Sequence, residues 1–202
     1  LSFSLSKDYN VTVIPISGDI DMGLPYYIDR GIQLAASDSS RLIIFEIDTF
    51  GGRIDAATKI KDLILETDIH TVAFINRRAI SAGALISLSC DKIIMTSGAT
   101  IGAATAVDAK GEKASEKVIS YMREEMASTA EANGKSRAVA EAMVDENIKI
   151  DYIMSISQDT IKSDLIKGFE EGKLITLSTV NAIKLGIADN QLETIEEVVK
   201  SE

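Results

Sequence analysis

Leu42-Ile43-Ile44-Phe45-Glu46-Ile47 runs directly into Asp48-Thr49-Phe50-Gly51-Gly52-Arg53, and a helical pattern, Asp55–Glu66, begins at once. A short, nearly continuous apolar run rich in β-branched residues marks a strand buried on both faces, which implies a parallel sheet covered by helices. Asp55–Glu66 supplies such a cover, because Ile60, Leu63 and Ile64 share one helical face. Two glycines therefore stand where the carboxyl end of a parallel strand meets a helix N-terminus, the place where open α/β sheets bind ligands.

The same grammar extends outward from this junction. Upstream, Val11–Ile16 reads as a strand, and Pro25–Ala36 as a helix opened by Pro25 with Ile28, Ile32 and Ala35 at helical spacing. Downstream, Thr71–Ile75 and Ile93–Thr96 add two more strands. Such alternation predicts an α/β fold of repeated βαβ units with a mainly parallel sheet and flanking helices. Beyond Thr100 the pattern changes to a Gly/Ala-rich segment, then a long helix over Ser115–Asn133 stopped by Gly134, and a further helix over Ser136–Glu146. The tail predicts a strand at Leu174–Leu177, a helix capped by Ser178 and stopped by Gly186, and a final helix near Thr194–Lys200. Asp151–Ser157 fits a strand or an edge turn equally well.

At 202 residues without an evident linker or repeat, the chain is expected to be one domain spanning 1–202. Its net charge of −10 comes from 31 acidic against 21 basic residues with no basic block, which argues against nucleic-acid binding. The one cysteine, Cys90, excludes an intrachain disulfide and falls in the apolar run Ala84–Cys90, as a buried thiol would. No stretch approaches the roughly 20 apolar residues that span a bilayer, and Leu1–Asn10 carries neither methionine nor a signal-peptide pattern. The chain looks trimmed, and a removed signal peptide or a truncated membrane protein would both produce this.

Candidate chemistry centres on two junctions. Glycines at 51 and 52 allow close backbone approach and can point N–H groups at a developing anion, although a Gly-Gly pair alone is more often a tight turn. One crossover later, Thr71–Asn76 is followed by Arg77-Arg78-Ala79-Ile80 and then Ser81-Ala82-Gly83-Ala84, which opens another helix. A serine on a sharp strand-to-helix turn exposes its hydroxyl above the sheet, with the next N–H, on Ala82, as an oxyanion donor. Taken alone, Ser81 reads as a helix cap. The one histidine, His70, starts the same strand and should lie ~15 to 20 Å from Ser81, so a Ser-His-Asp triad is not expected. A lysine base remains, and it requires a pKa lowered by burial. Lys113 and Lys117 stand one turn apart at the start of the long helix, and Lys117 adjoins Val118 and lies one turn from Tyr121, which offers its amine an apolar crevice. Spacing gives Lys117 only a modest edge over Lys113. No metal-ligand spacing, Walker pattern or G-x-G-x-x-G is present, so no metal or cofactor is expected.

The order Asp48-Thr-Phe-Gly-Gly-Arg, then Ala79-Ile-Ser81-Ala-Gly, then Gly98-Ala-Thr-Ile-Gly102-Ala resembles the NfeD-type membrane-bound serine peptidases, relatives of the Clp protease proteolytic subunit. The resemblance runs from Val11 to the tail Leu177–Asp189 and implies a Clp/crotonase-like fold. It implies a Ser-Lys dyad of Ser81 and Lys117, counted back from Gly134, with Gly52 and Ala82 as oxyanion donors and Gly51 and Phe50 contacting substrate. Phe50 stands where the family's turn usually has proline. The resemblance further implies an endopeptidase acting on apolar segments of membrane-associated proteins such as a stomatin-like partner. A homo-oligomer is implied too, as is a soluble, extracytoplasmic domain excised from a longer membrane protein. The segment Gly98–Gly111 is expected to cover the cleft. Two rival readings are a catalytically silent Clp-fold binding module for such a partner and a crotonase-type acyl-CoA enzyme. The second is disfavoured by the lack of a basic patch for the CoA phosphates.

Overall fold

The computed structural model describes residues 2–3, 10–107, 110–148, 152–154, 160–162 and 172–202. Strand β1 (Ser2–Phe3) pairs antiparallel with β2 (Asn10–Ile20) at one edge of the main sheet. Strands β2, β3 (Ser40–Gly52), β4 (His70–Ile80) and β5 (Lys92–Met95) then run parallel in that order. Each crossover is a helix, as a parallel sheet requires: α1 (Leu24–Ser37), α2 (Ile54–Leu65) and α3 (Ala82–Leu88). The expected α/β architecture with a mainly parallel sheet is the one observed.

Burial explains why the strands read as continuous apolar runs. On one face Ile43, Phe45, Ile47, Ala73 and Ile75 pack with Ile28 and Ala35 of α1 and Ile60 and Ile64 of α2. On the other, Leu42, Ile44, Val72 and Phe74 pack against Val198 and Val199 of α7 (Ile195–Ser201). That last helix starts with a capping box between Thr194 and Glu197, which satisfies the amide donors of its first turn reciprocally. Cys90 is buried as expected, and burial pushes its thiol well above the ordinary range, which leaves it an unreactive core residue.

Strand β4 changes partners along its length. Val72–Ile75 pair with β5, whereas Arg78–Ile80 pair with β6 (Thr100–Gly102), whose other edge is taken by antiparallel β9 (Thr176–Ser178). The handover lies at Thr96, whose N–H donates to Ile75 O at 3.0 Å and whose hydroxyl donates to Asn76 O at 2.5 Å.

Two boundaries depart from the sequence reading. Strands β3 and β4 continue to Gly52 and Ile80, beyond the expected ends at Ile47 and Ile75. Their polar ends satisfy one another: Arg78 Nε reaches Asp48 Oδ1 at 3.1 Å, and the β2–β3 ladder resumes past a bulge to pair Ile20 with Gly52. Gly51 and Gly52 thus end a strand and do not form a separate turn. Paired along β3 from Leu42 to Thr49, the stretch of β4 from His70 to Ala79 spans roughly 23 Å at about 3.3 Å per residue, which places His70 farther from Ser81 than the sequence estimate.

The long helix is α4 (Glu116–Ala132), followed by α5 (Arg137–Val144), with Gly134 at φ 67 in the bend between them. The undecided stretch contains β7 (Tyr152–Met154), which pairs antiparallel with β8 (Thr160–Lys162). Helix α6 (Thr179–Lys184) follows Ser178, whose side chain makes no capping bond, and β10 (Asn190–Gln191) closes the far edge beside β5. No helix among the described residues is long and apolar enough to cross a membrane.

Candidate active site

Ser81 occupies the junction of β4 and α3 with φ 56 and ψ −118. A non-glycine residue there stores about 1–3 kcal/mol of backbone strain, which persists only where the surroundings hold it. They do: the Ser81 N–H donates to Gly102 O on β6 at 3.0 Å, and the Ser81 carbonyl accepts from Ala84 N at 2.9 Å. Although Ser81 takes the N-cap position of α3, its hydroxyl makes no capping bond, so the simpler helix-cap role is not the one it performs. Ala82 is the first residue of that helix, and its N–H therefore has no acceptor within the helix.

The end of β3 is pressed against this turn. A Cβ built on Gly51 (φ 110) would lie 2.6 Å from Ser81 Cβ and 3.1 Å from Ser81 Oγ, so only glycine fits. One built on Gly52 would lie 2.4 Å from Ile20 O, and Arg53 N–H closes the same corner by donating to Ile20 O at 2.8 Å. Thr49, buried in β3, accepts the Gly51 N–H at 2.9 Å. The sequence reading passed over Thr49; its signal was a hydroxyl residue two positions before a glycine, a local pairing that such residues favour.

Gly52 lines an open cleft of about 1090 Å³. Its apolar wall is Ile20, Ile54, Val107, Val118 and Tyr121, while Asp19, Asp21 and Asp55, against Arg53 and Lys59, give it a net acidic side. Asp55 is held by Arg53 in a two-point ion pair at 3.0 and 2.8 Å. The Tyr121 hydroxyl lies 3.5 Å from Thr58 Oγ1, joining α4 to α2 across the cleft. Phe50 is 70% exposed, and the Arg78 guanidinium stacks 4.4 Å over its ring. The segment expected to cover the cleft contributes β6 and then an anchored stretch, in which Ala103 and Ala104 N–H groups donate to Ile175 O and Met143 O and Val107 reaches the cleft wall. Residues 108–109 of that segment lie outside the described residues.

The two candidate lysines are distinct. Lys113 is ion-paired with Glu146 at 2.9 Å, a hydrogen bond that raises its pKa and keeps it protonated, unsuited to a base. Lys117 is on the first turn of α4, exposed, with no ion pair to it among the described residues, and its neighbour Val118 and Tyr121 one turn on line the cleft. His70, at the far end of β4, approaches Asp91 at 3.3 Å and Glu202 at 3.0 Å. Among the described residues no group of three or more His, Cys, Asp or Glu is placed to hold a metal ion.

Residues 10–202 match the family described as NfeD1b, N-terminal domain. The chain is 33% identical over 195 residues to membrane protein NfeD1b of Bacillus subtilis, a match covering 96% of this chain and 41% of that protein. It is 29% identical over 148 residues to the membrane-bound protease PH1510 of Pyrococcus horikoshii, covering 69% and 34%. The chain thus spans less than half the length of either curated relative. Among solved structures it is similar to the 1510-N membrane-bound stomatin-specific protease of Pyrococcus horikoshii in two variants, each 26% identical. One carries a serine-to-alanine substitution, with a TM-score of 0.75, covering 97% of this chain and 85% of that one. The other carries a lysine-to-alanine substitution and a bound substrate peptide, with a TM-score of 0.76, covering 97% and 80%. ClpP1 from Listeria monocytogenes, 20% identical with a TM-score of 0.65 and covering 93% and 94%, shares the fold.

Proposed function

Because this chain belongs to the NfeD1b N-terminal domain family and is 29% identical to a membrane-bound protease, we propose that it is a serine endopeptidase domain with Ser81 as nucleophile and Lys117 as general base. The observation that carries the reading is the strained, uncapped Ser81 held against Gly51 at the end of β3. Strain of this kind clusters at active sites and presents a hydroxyl at a fixed angle. The substitutions in the two solved variants of the stomatin-specific protease, one of serine and one of lysine with substrate bound, are those a Ser-Lys dyad would call for.

In the proposed reaction neutral Lys117 takes the hydroxyl proton as Ser81 Oγ attacks the substrate carbonyl carbon. The oxyanion accepts from Gly52 and Ala82 N–H. Collapse expels the amine, which takes the proton from the Lys117 ammonium, and water then hydrolyses the acyl-enzyme with Lys117 again as base. Lys117 is exposed in the free chain, so the desolvation that generates the neutral amine is assigned to the substrate, which excludes water from the cleft as it seats. The apolar wall and exposed Phe50 favour apolar peptide segments, with Gly51 and Phe50 in contact. A stomatin-like membrane protein is the proposed substrate. Action beside a membrane on its extracytoplasmic side, as a homo-oligomer, belongs to the same reading.

The exposure of Lys117 also favours a second reading, a silent Clp-fold module that binds the partner without cleaving it. The acidic side of the cleft disfavours acyl-CoA phosphates. The test incubates the wild-type domain, Ser81→Ala, Lys117→Ala and Lys113→Ala with an apolar test peptide and reads cleavage by mass. Loss in the first two variants and retention in Lys113→Ala supports the dyad. Full activity in Lys117→Ala removes it, and no cleavage by the wild type favours the binding module.

A further inference from the structure

Thr49 is 1% exposed, and every part of its side chain is engaged. The hydroxyl donates to Gly18 O on β2 at 2.5 Å and accepts the Gly51 N–H at 2.9 Å, and the Gly51 carbonyl oxygen lies 3.4 Å from it. The methyl fills the notch opposite Gly83, where an added Cβ would stand 2.6 Å from Thr49 Cγ2. One side chain thus touches β2, the end of β3 and the first turn of α3.

Peptide planarity converts these contacts into an orientation. The C=O and N–H of a trans peptide point in opposite directions. The Thr49 hydroxyl gives its one proton to Gly18 O, and the β2–β3 ladder, which pairs Asp19 with Gly51 and Ile20 with Gly52, keeps the Gly51 carbonyl on the Thr49 and β2 side; the N–H of the same peptide, on Gly52, therefore faces away. The Gly51 N–H is already occupied by Thr49 Oγ1. Two successive glycines have no side chains to hold this plane themselves. We propose that Thr49 is a positioning residue whose hydroxyl makes Gly52, and not Gly51, the free donor at the end of β3, while its methyl keeps that donor in register with Ser81 through Gly83.

The kinetic half of this proposal rests on the peptidase reading; the structural half does not. Thr49→Val keeps shape and methyl but removes the hydroxyl, and Thr49→Ser keeps the hydroxyl. In Thr49→Val, kcat on the test peptide is expected to fall about 10²- to 10³-fold, the usual loss for one oxyanion donor, with KM nearly unchanged. Thr49→Ser should restore most of kcat. In 15N-labelled protein the Gly51 amide should exchange slowly in the wild type and Thr49→Ser and at least about tenfold faster in Thr49→Val. Wild-type kcat in Thr49→Val, or Gly51 exchange indifferent to the hydroxyl, overturns the proposal. If the wild type cleaves nothing, the peptidase reading fails and the exchange comparison still decides Thr49. Should Thr49→Val not fold, loss of Gly51 protection or of kcat in Thr49→Ser overturns it instead.

Discussion

Replacing Gly51 by alanine puts a methyl group where the end of β3 and the Ser81 turn leave no room for one. At φ 110 an alanine carries backbone strain of about 1–3 kcal/mol. Its Cβ would lie 2.6 Å from Ser81 Cβ and 3.0 Å from Ile80 O, against about 3.5–4.0 Å for an ordinary carbon contact. Neither neighbour is the free end of a flexible chain, so the two segments must part by about 1 Å, at an overpacking cost of about 1–3 kcal/mol. The sum, roughly 2–6 kcal/mol, is a large share of a typical domain's 5–15 kcal/mol. Gly18→Ala is the control, since Gly18 also has positive φ, 76, but nothing within 4 Å of an added Cβ; it should lose only about 1–2 kcal/mol. A 1 Å displacement of Ser81 should slow its acylation about 10²-fold. Urea unfolding midpoints and the rate of Ser81 labelling by a fluorophosphonate read the two effects. If Gly51→Ala is no less stable than Gly18→Ala and labels at the wild-type rate, the packing argument is wrong.

Ser81→Gly should unfold at higher urea than the wild type while losing all fluorophosphonate labelling, because glycine relieves about 1–3 kcal/mol of strain that serine holds. Lys135, 5% exposed in its side chain, bonds Asp189 at 2.6 Å while Asp189 also accepts the Ile93 N–H. Lys135→Met should cost about 1–2 kcal/mol in urea denaturation, below the figure for a fully buried pair because Asp189 is partly exposed. The Asn147 N–H, with Arg123, holds the Asp145 carboxyl below its ordinary pKa against the cost of burial. A depressed carboxylate stabilises the fold above the unfolded value and loses that contribution as pH falls through the folded one. Urea midpoints between pH 7 and pH 3 should therefore fall less steeply below pH ~4 in Asp145→Asn than in the wild type.

The parallel sheet and its crossover helices were legible because strands covered on both faces cannot alternate in polarity, and Leu42–Ile47 and Thr71–Ile75 do not. The true ends of those strands were not legible. Asp48, Arg77 and Arg78 resemble turn residues, and they stay in the ladder because Arg78 reaches Asp48 across neighbouring strands, a pairing absent from any local window. Ser81 was visible as a hydroxyl at a strand-to-helix junction, whereas its positive φ depends on Gly102, twenty-one residues away in sequence and brought close by β6. The ion pair that occupies Lys113 was not legible either, because its partner Glu146 lies outside α4, where helical spacing does not reach. Thr49 escaped notice because its importance lies in contacts to Gly18 and Gly83, both distant along the chain.

The handover of β4 from β5 to β6 bears on how the molecule is made. Strand β6 is three residues long, too short to persist on an edge alone, and its second partner is Thr176–Ser178. During synthesis the chain emerges N-terminus first, so β2, β3 and the first half of β4 can assemble while the ribosome is still translating α4. The acceptor for the Ser81 N–H, Gly102 O, is secured only after residue 178 has left the exit tunnel. A nascent chain stalled before that point would carry a formed sheet and an unformed Ser81 turn, so the strained junction is the last part of the sheet to be secured.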